Sequence, residues 1–308
     1  MLPACGEARL DRMGAGELAL LRWRGLCNTD GMFRMVFIRF ALGLGALLLV
    51  ATHRPSLAQM RVDLELVLTV DISLSMDLDE QRLQRDGYIA AFRDRELHQS
   101  IASGPLRKIA VTYVEWAGPH VQLIVMPWTL IDSPAAAIAF ADKLEQVRIS
   151  RERMTSITAA LEFSGKLFQS NPFQGARQVI DVSGDGPNNA GGPVTRIRDE
   201  LVGKGIVING LPIKVKHGGG INSLVDLPDL DRYYNDCVIG GPGSFMIPIL
   251  AKEEFLPAIR RKLLLEIAGL EPPARVIKVQ AAPEPRRADC LIGEKLWNRY
   301  MDGNRLPQ

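Results

Sequence analysis

The chain has 308 residues, 37 Lys and Arg against 35 Asp and Glu, and a hydrophobic share of 47%. That length suits one large domain or two small ones, and the ordinary composition excludes a largely disordered chain. A net charge of +2 is too small for a nucleic-acid coat, and four cysteines are too few for a disulfide scaffold.

The first recognisable segment is apolar. Residues 40–52 form one apolar run, preceded by Arg34 and Arg39 and followed by Ser56-Leu57-Ala58. A basic start, a short apolar middle and small residues before a cut at Gln59 make the layout of a secretory signal. The run is shorter than the roughly 20 apolar residues that a membrane span needs. The residues ahead of it carry acids that a signal's start avoids, and Met32 and Met35 lie just upstream of its basic residues. We therefore expect residues 1–34 to be an extension produced by a start-site error and 35–58 to be a signal peptide. The mature protein is expected to be periplasmic or secreted, with no transmembrane anchor after cleavage. Its 250 residues carry 30 Lys and Arg against 31 Asp and Glu, and two cysteines, Cys237 and Cys290. An oxidising compartment favours their pairing. Two separate buried thiols are the alternative, because sequence does not supply the geometry.

The elements of residues 59–270 then follow in order. Leu64 to Val70 reads as a buried strand. Asp77 and Asp79 open a polar helix with Leu83, Ile89, Phe92 and Leu97 on one face. Ile109 to Trp116 is a second apolar strand, and Ala117-Gly118-Pro119 turns it into a third, Val121 to Met126, as an antiparallel hairpin. Ser133-Pro134 starts a helix that runs to about Val147. A further helix covers Ser156 to Phe168 and stops at Asn171-Pro172. Gln178 to Ser183 is a buried strand, Pro193 starts a helix that ends near Gly203, and Ile206 to Leu211 is the next strand. Ser244 to Ile249 is expected as the last strand, and a closing helix repeats Phe255, Ile259, Leu263 and Ile267. From 271 to 308 the chain is rich in proline and arginine and reads as an extended tail. Strands apolar on both faces alternating with helices predict an α/β fold: a doubly wound, mainly parallel open sheet with one antiparallel edge strand and helices on both faces.

Such sheets bind ligands in the loops at the carboxyl ends of their strands. Three loops of this chain meet that description. The first strand ends in Asp71-Ile72-Ser73-Leu74-Ser75, the strand at 178–183 runs into Gly184-Asp185-Gly186, and Thr155-Ser156 opens a helix. Two carboxylates and three hydroxyls are hard oxygen donors, suited to Mg²⁺ or a similar small cation. Alternation puts Asp71, Ser73 and Ser75 on one side of an extended loop. Two carboxylates leave part of the ion's charge unneutralised, so a further acidic group would bind well. The competing reading makes Asp71 and Asp185 helix caps, with Ser73 and Thr155 satisfying loop amides.

These residues carry a resemblance. Asp71-Ile72-Ser73-Leu74-Ser75-Met76, Thr155 to Leu161, and Asp185-Gly186-Pro187-Asn188-Asn189 resemble, in the same order, the three loops of a von Willebrand factor A-type (VWA) domain with a metal-ion-dependent adhesion site. The likeness covers about 62–270. It implies Ser73, Ser75 and Thr155 as direct metal ligands, Asp71 and Asp185 acting mainly through water, and an acidic residue of a protein partner completing the octahedron. Mg²⁺ is the implied ion, with Mn²⁺ or Ca²⁺ as substitutes. Where the family often has glycine before the threonine, this chain has Arg153-Met154, so Thr155 is the ligand most in question, and Arg153 could approach an acidic partner, as could Asn188. More narrowly, Tyr113 to Gly118, Val182 to Asn189 and Asp236 to Gly243 resemble exported bacterial single-VWA proteins of unknown function. That likeness supports export and the Cys237–Cys290 pairing.

The expected function is thus an exported, metal-dependent binding module that engages an acidic group of a protein partner, not an enzyme and not a binder of nucleic acid. Three rivals stand beside it. A periplasmic phosphatase or hydrolase lacks its second aspartate, because Ser73 occupies that place. His217-Gly218-Gly219-Gly220 resembles an esterase oxyanion loop, but the chain has no G-x-S-x-G elbow. A regulatory subunit of an AAA-type ATPase complex would require the protein to be cytosolic. An inert scaffold with a vestigial metal site is the third. Trp116 is expected in the core, Tyr233 and Tyr234 in a loop, and Glu115 either paired or facing the metal edge.

Overall fold

A computed structural model describes residues 59–215, 227–270 and 287–303. The expected extension and signal peptide, the His217 glycine loop and residues 271–286 of the tail lie outside the described residues.

The centre of the sheet is β1 (Met60–Asp71), whose last eight residues are all buried. Five of these eight are Leu or Val, since both faces and both edges of this strand are covered, and Glu65, Thr69 and Asp71 are the polar exceptions. Parallel partners flank it, β2 (Ile109–Trp116) on one side and β4 (Phe173–Gly184) on the other. β3 (Gln122–Ile131) runs antiparallel to β2, and β5 (Val207–Pro212) is parallel to β4, which gives the order β3-β2-β1-β4-β5. The expected doubly wound sheet with one antiparallel edge strand is therefore the one observed.

One face packs on α1 (Leu78–Arg93), α2 (Arg95–Ser103), α3 (Pro134–Glu145) and α7 (Phe255–Ala268), through Leu64, Leu66, Leu68, Val111 and Tyr113 from the strands. The other packs on α4 (Ile157–Leu167), α5 (Val194–Gly203) and α6 (Leu230–Tyr233), through Val67, Val114, Trp116, Ile180 and Val182. Trp116 lies in this core, as expected. Period-two alternation along β1 sends even-numbered residues to one helical layer and odd-numbered ones to the other. The chain leaves β1 toward β2 with α1 on one face, and leaves β4 toward β5 with α5 on the opposite face. The crevice between the carboxyl ends of β1 and β4 is thus a topological switch point, where open α/β sheets place their ligands.

Four expectations are corrected. The helix predicted through Leu97 is two helices. Asp94 adopts an extended backbone, and its carboxylate accepts from the Glu96 and Leu97 amides, so it caps a new helix instead of continuing the old one. The strand expected at Ser244 to Ile249 forms only isolated bridges, Gly210 with Met246 and Ile213 with Ile249. Pro248 lacks an amide proton and Gly243 is left-handed, so a continuous ladder does not form there. The tail is not extended throughout, because α8 (Ile292–Gly303) is helical. Cys237 and Cys290 are disulfide-bonded, with their Cα atoms 5.5 Å apart. Tyr233 and Tyr234 sit in α6 and a following π-helical turn (Tyr234–Val238), not in a loop, and both are fully buried.

Candidate metal centre

The site is assembled from three loops at the switch point. β1 ends on Asp71, which pairs with Trp116 of β2 and is completely buried. Its Oδ1 accepts from the Ser73 amide at 2.7 Å, which turns the chain and brings the serines forward. Ser73 Oγ lies 2.7 Å from Ser75 Oγ, and Ser75 Oγ donates to Asp185 Oδ1 at 2.6 Å. The first and third loops thus meet through a run of oxygen atoms.

The second loop is pinned to both. Arg151 Nη2 donates to the Leu74 carbonyl at 2.9 Å and also to the Met76 carbonyl, while the Glu152 amide donates to Ile72 O. Thr155 is held on both sides by Asn189: its amide donates to Asn189 Oδ1 at 3.0 Å, and its carbonyl accepts from the Asn189 amide at 2.9 Å. Ser156 caps α4 by accepting from the Ala159 amide. Met154 has φ +70°, the left-handed region that glycine favours. Met154, which stands where the VWA resemblance implies glycine, therefore takes a glycine-like backbone, at a cost of about 1–2 kcal/mol. Gly118 makes room for this loop, since a Cβ there would lie 2.9 Å from the Arg153 carbonyl oxygen.

Burial pushes the Asp71 carboxyl up to about 7, against the pull of hydrogen bonds from Ser73 and the Asp185 amide. Its Oδ2 is buried and has no hydrogen-bond partner. Gly184 is what leaves space beside that oxygen. A Cβ at Gly184 would stand 2.8 Å from Asp71 Oδ2 and 2.9 Å from the Tyr234 hydroxyl.

These observations fit a small divalent cation. The donors are hard oxygens. A buried carboxylate with an unsatisfied oxygen costs free energy, which a neighbouring positive charge offsets. Adjacent oxygens of an octahedron of Mg²⁺ radius stand about 2.9 Å apart, close to the spacing of the two serine hydroxyls. Among the described residues, no group of three or more His, Cys, Asp and Glu side chains could hold a metal.

Asp71, Ser73, Ser75 and Asp185 are linked by hydrogen bonds, and Thr155 is tied to the third loop. Arg153 is exposed. Asn188 is a correction. It was expected to touch a partner but is fully buried, and its side chain accepts from the Thr158 amide and donates to Gly192 O and Glu294 Oε1. Asn in a loop reads as polar and accessible, whereas here its amide joins three segments. Glu115 is paired, with Arg85 on one oxygen and Ser150 Oγ at 3.2 Å on the other. Arg151, Gly184 and Asn189 escaped the motif reading as functional residues. Asn189 and Gly184 at least lay inside or next to the third-loop string, whereas nothing local to Arg151 signals its role.

The sheet order and the loop cluster at its carboxyl edge define a VWA-like α/β fold. The chain belongs to the DUF1194 family, described as a protein of unknown function, whose profile matches residues 61–271. A comparison with curated proteins returns no match. Among solved structures, the chain is similar to proximal thread matrix protein 1 of the mussel byssus, with 12% identity, TM-score 0.49, and coverage of 68% of this chain and 49% of that one. It is similar to a von Willebrand factor type A protein from Catenulispora acidiphila, with 16% identity, TM-score 0.47, and coverage of 67% and 43%. It is also similar to BatB from Bacteroides thetaiotaomicron, with 16% identity, TM-score 0.44, and coverage of 67% and 99%. The chain spans about half the length of the byssus protein it matches. Among the described residues, no helix is long and apolar enough to cross a membrane.

Proposed function

We propose that this protein is an exported VWA-type interaction module, a binder and not a catalyst, that holds a divalent cation and uses it to engage an acidic group of a protein partner. One observation carries the reading. Ser73 Oγ, Ser75 Oγ and Asp185 Oδ1 form a run of oxygens spaced 2.7 and 2.6 Å, above a buried Asp71 whose Oδ2 has no hydrogen bond. Asp71, Ser73, Ser75, Thr155 and Asp185 would hold the ion, with Mg²⁺ favoured by hard donors and Mn²⁺ or Ca²⁺ as substitutes.

When bound, the cation supplies a concentrated positive charge in a protein with almost no net charge of its own. The chain's residues present it at an edge where Ser75 and Asp185 are half-exposed, with the exposed Arg153 on the neighbouring loop able to meet the same acidic group. The disulfide supports an oxidising compartment, hence export.

The test is metal-dependent thermal stabilisation. Wild type should gain stability with Mg²⁺ or Mn²⁺, by about 2.7 kcal/mol at a hundredfold excess over Kd. Asp71→Ala, or Ser73→Ala with Ser75→Ala, should remove the response. An undiminished response in those variants would place the metal elsewhere. Capture of envelope proteins with and without chelator tests the partner, and a partner set indifferent to metal would contradict the acidic-group reading.

A further inference from the structure

The residue expected to face a partner instead sits inside a clamp with two arms. Asn188 lies three positions after Asp185. Its amide donates to the Tyr233 hydroxyl at 3.2 Å, its Oδ1 accepts from the Thr158 amide at 3.0 Å, and its Nδ2 donates to Gly192 O at 3.0 Å and Glu294 Oε1 at 2.7 Å. Gly293 presses on it as well, since a Cβ there would come within 2.0 Å of the Asn188 carbonyl oxygen. No side chain larger than hydrogen fits that contact.

The two arms come from distant parts of the chain. Tyr233 ends α6, one helical turn before Cys237. Gly293 and Glu294 open α8, just after Cys290. The Cys237–Cys290 bond joins these two segments across 53 positions. A second tie lies beside it, where the Ala288 amide donates to Asp236 Oδ2 at 2.7 Å and Arg198 holds the Asp236 carbonyl at 2.8 Å. The disulfide therefore fastens both arms to each other at the point where they grip one residue of the third metal loop.

We infer that Glu294 is a positioning residue for the metal site, and that the Cys237–Cys290 bond keeps it in place. It acts through Asn188 on the loop that carries Asp185, and through the Thr158 amide on the first turn of α4, which follows Thr155. The consequence is that metal affinity depends on the C-terminal segment and on the oxidised state of the two cysteines, although neither touches the ion. This inference rests on the metal reading above.

Two measurements test it. The first is Mn²⁺ titration by calorimetry on four forms of the full protein: oxidised wild type, reduced wild type, Glu294→Ala and Glu294→Gln. Glu294→Ala and reduction should each weaken Mn²⁺ binding on the order of ten-fold, within the range of site-to-site coupling. Glu294→Gln keeps an acceptor for Asn188 Nδ2 and should stay close to wild type. Far-UV circular dichroism at the titration temperature should be the same for all four, which separates positioning from unfolding. The second is hydrogen exchange without metal, in which the Asn188 and Thr158 amides should exchange faster in Glu294→Ala and in reduced protein. Equal Mn²⁺ affinity across the four forms overturns the inference. So does unchanged exchange at those amides, whether or not metal binds. Absence of Mn²⁺ binding to oxidised wild type would overturn the metal reading instead, and the exchange data would still decide whether the clamp exists.

Discussion

Strand β1 carries two buried acids, one at its middle and one at its carboxyl end, and their surroundings differ. Glu65 accepts from Asn171 Nδ2 at 2.7 Å, from the Gly175 amide at 3.0 Å and from Gln178 Nε2 at 2.9 Å. Those donors satisfy both oxygens and fix the start of β4 against β1. Asp71, six positions on, has one oxygen bonded to the Ser73 amide and the other bonded to nothing. Burial is equally complete at both. A buried carboxylate with a full set of donors is a structural staple, whereas one left short invites a cation. On the metal reading, Asp71 at the carboxyl end of β1 serves the proposed site, while Glu65 at its middle holds β4 in place.

The largest effect should come from the fully bonded acid. Glu65→Ala strands three donors and should cost about 3 kcal/mol or more in urea unfolding, while leaving the metal response of the remaining folded protein intact. Asp71→Ala should do the reverse, losing the metal response with little or no loss of metal-free stability. If both variants lost stability equally without metal, the distinction between the two acids would collapse.

Gly184→Ala comes next. Its Cβ would press on Asp71 Oδ2 and the Tyr234 hydroxyl. We expect an undiminished fold by circular dichroism and a Mg²⁺-induced shift in Tm that is mostly lost. A full shift would mean that the space beside Asp71 is not part of the site.

A third buried cluster sharpens the comparison from another side. Lys262 Nζ lies 2.6 Å from Asp181 Oδ1 and also bonds Glu266, so one ammonium serves two carboxylates. Burial, reinforced by Asp181, pushes Glu266 up to about 7. Its folded-state value is raised, so the folded protein holds this proton more tightly than the unfolded chain. The stability it contributes is full below the ordinary value of 4.5 and is lost as pH rises toward about 7. In chelator, Tm should fall over that interval, and Glu266→Gln should flatten the fall, leaving the share that Asp71 contributes in the same direction. An unchanged slope in the variant would assign the titration elsewhere.

Met154→Gly should have the smallest effect. It relieves a left-handed backbone at a residue whose loop is already held by Gly118 and Asn189. The change in stability should be within about 1 kcal/mol, because relief of strain is offset by a freer unfolded chain. A large loss of Mg²⁺ affinity in this variant would show that the methionine side chain, and not the backbone it forces, shapes the loop.

Much of the fold was legible along the chain. Strands buried on both faces announce themselves as apolar runs, and Ser133-Pro134 and Asp77 carry the local chemistry of helix starts. Less legible was Asp94, whose carboxylate splits one expected helix in two, because the same residue type is also ordinary on a helix surface. The weak pairing of Ser244 to Ile249 depends on a proline whose cost appears only when a neighbouring strand asks for its missing donor.

Local pattern alone determined the order of elements, the mainly parallel sheet with its antiparallel edge, and the five oxygen-bearing residues expected at the strand ends. These follow from periodicity and from residues within a few positions of one another, where the chain's own geometry sets the spacing. Only the tertiary structure decided that Asp71 keeps a buried oxygen without a partner, that Asn188 faces inward, and that Cys290 returns a helix to the third loop. Each of these depends on which groups from distant segments arrive at one place and how much water they exclude. Burial and partnership are properties of the assembled core, and no stretch of sequence contains them.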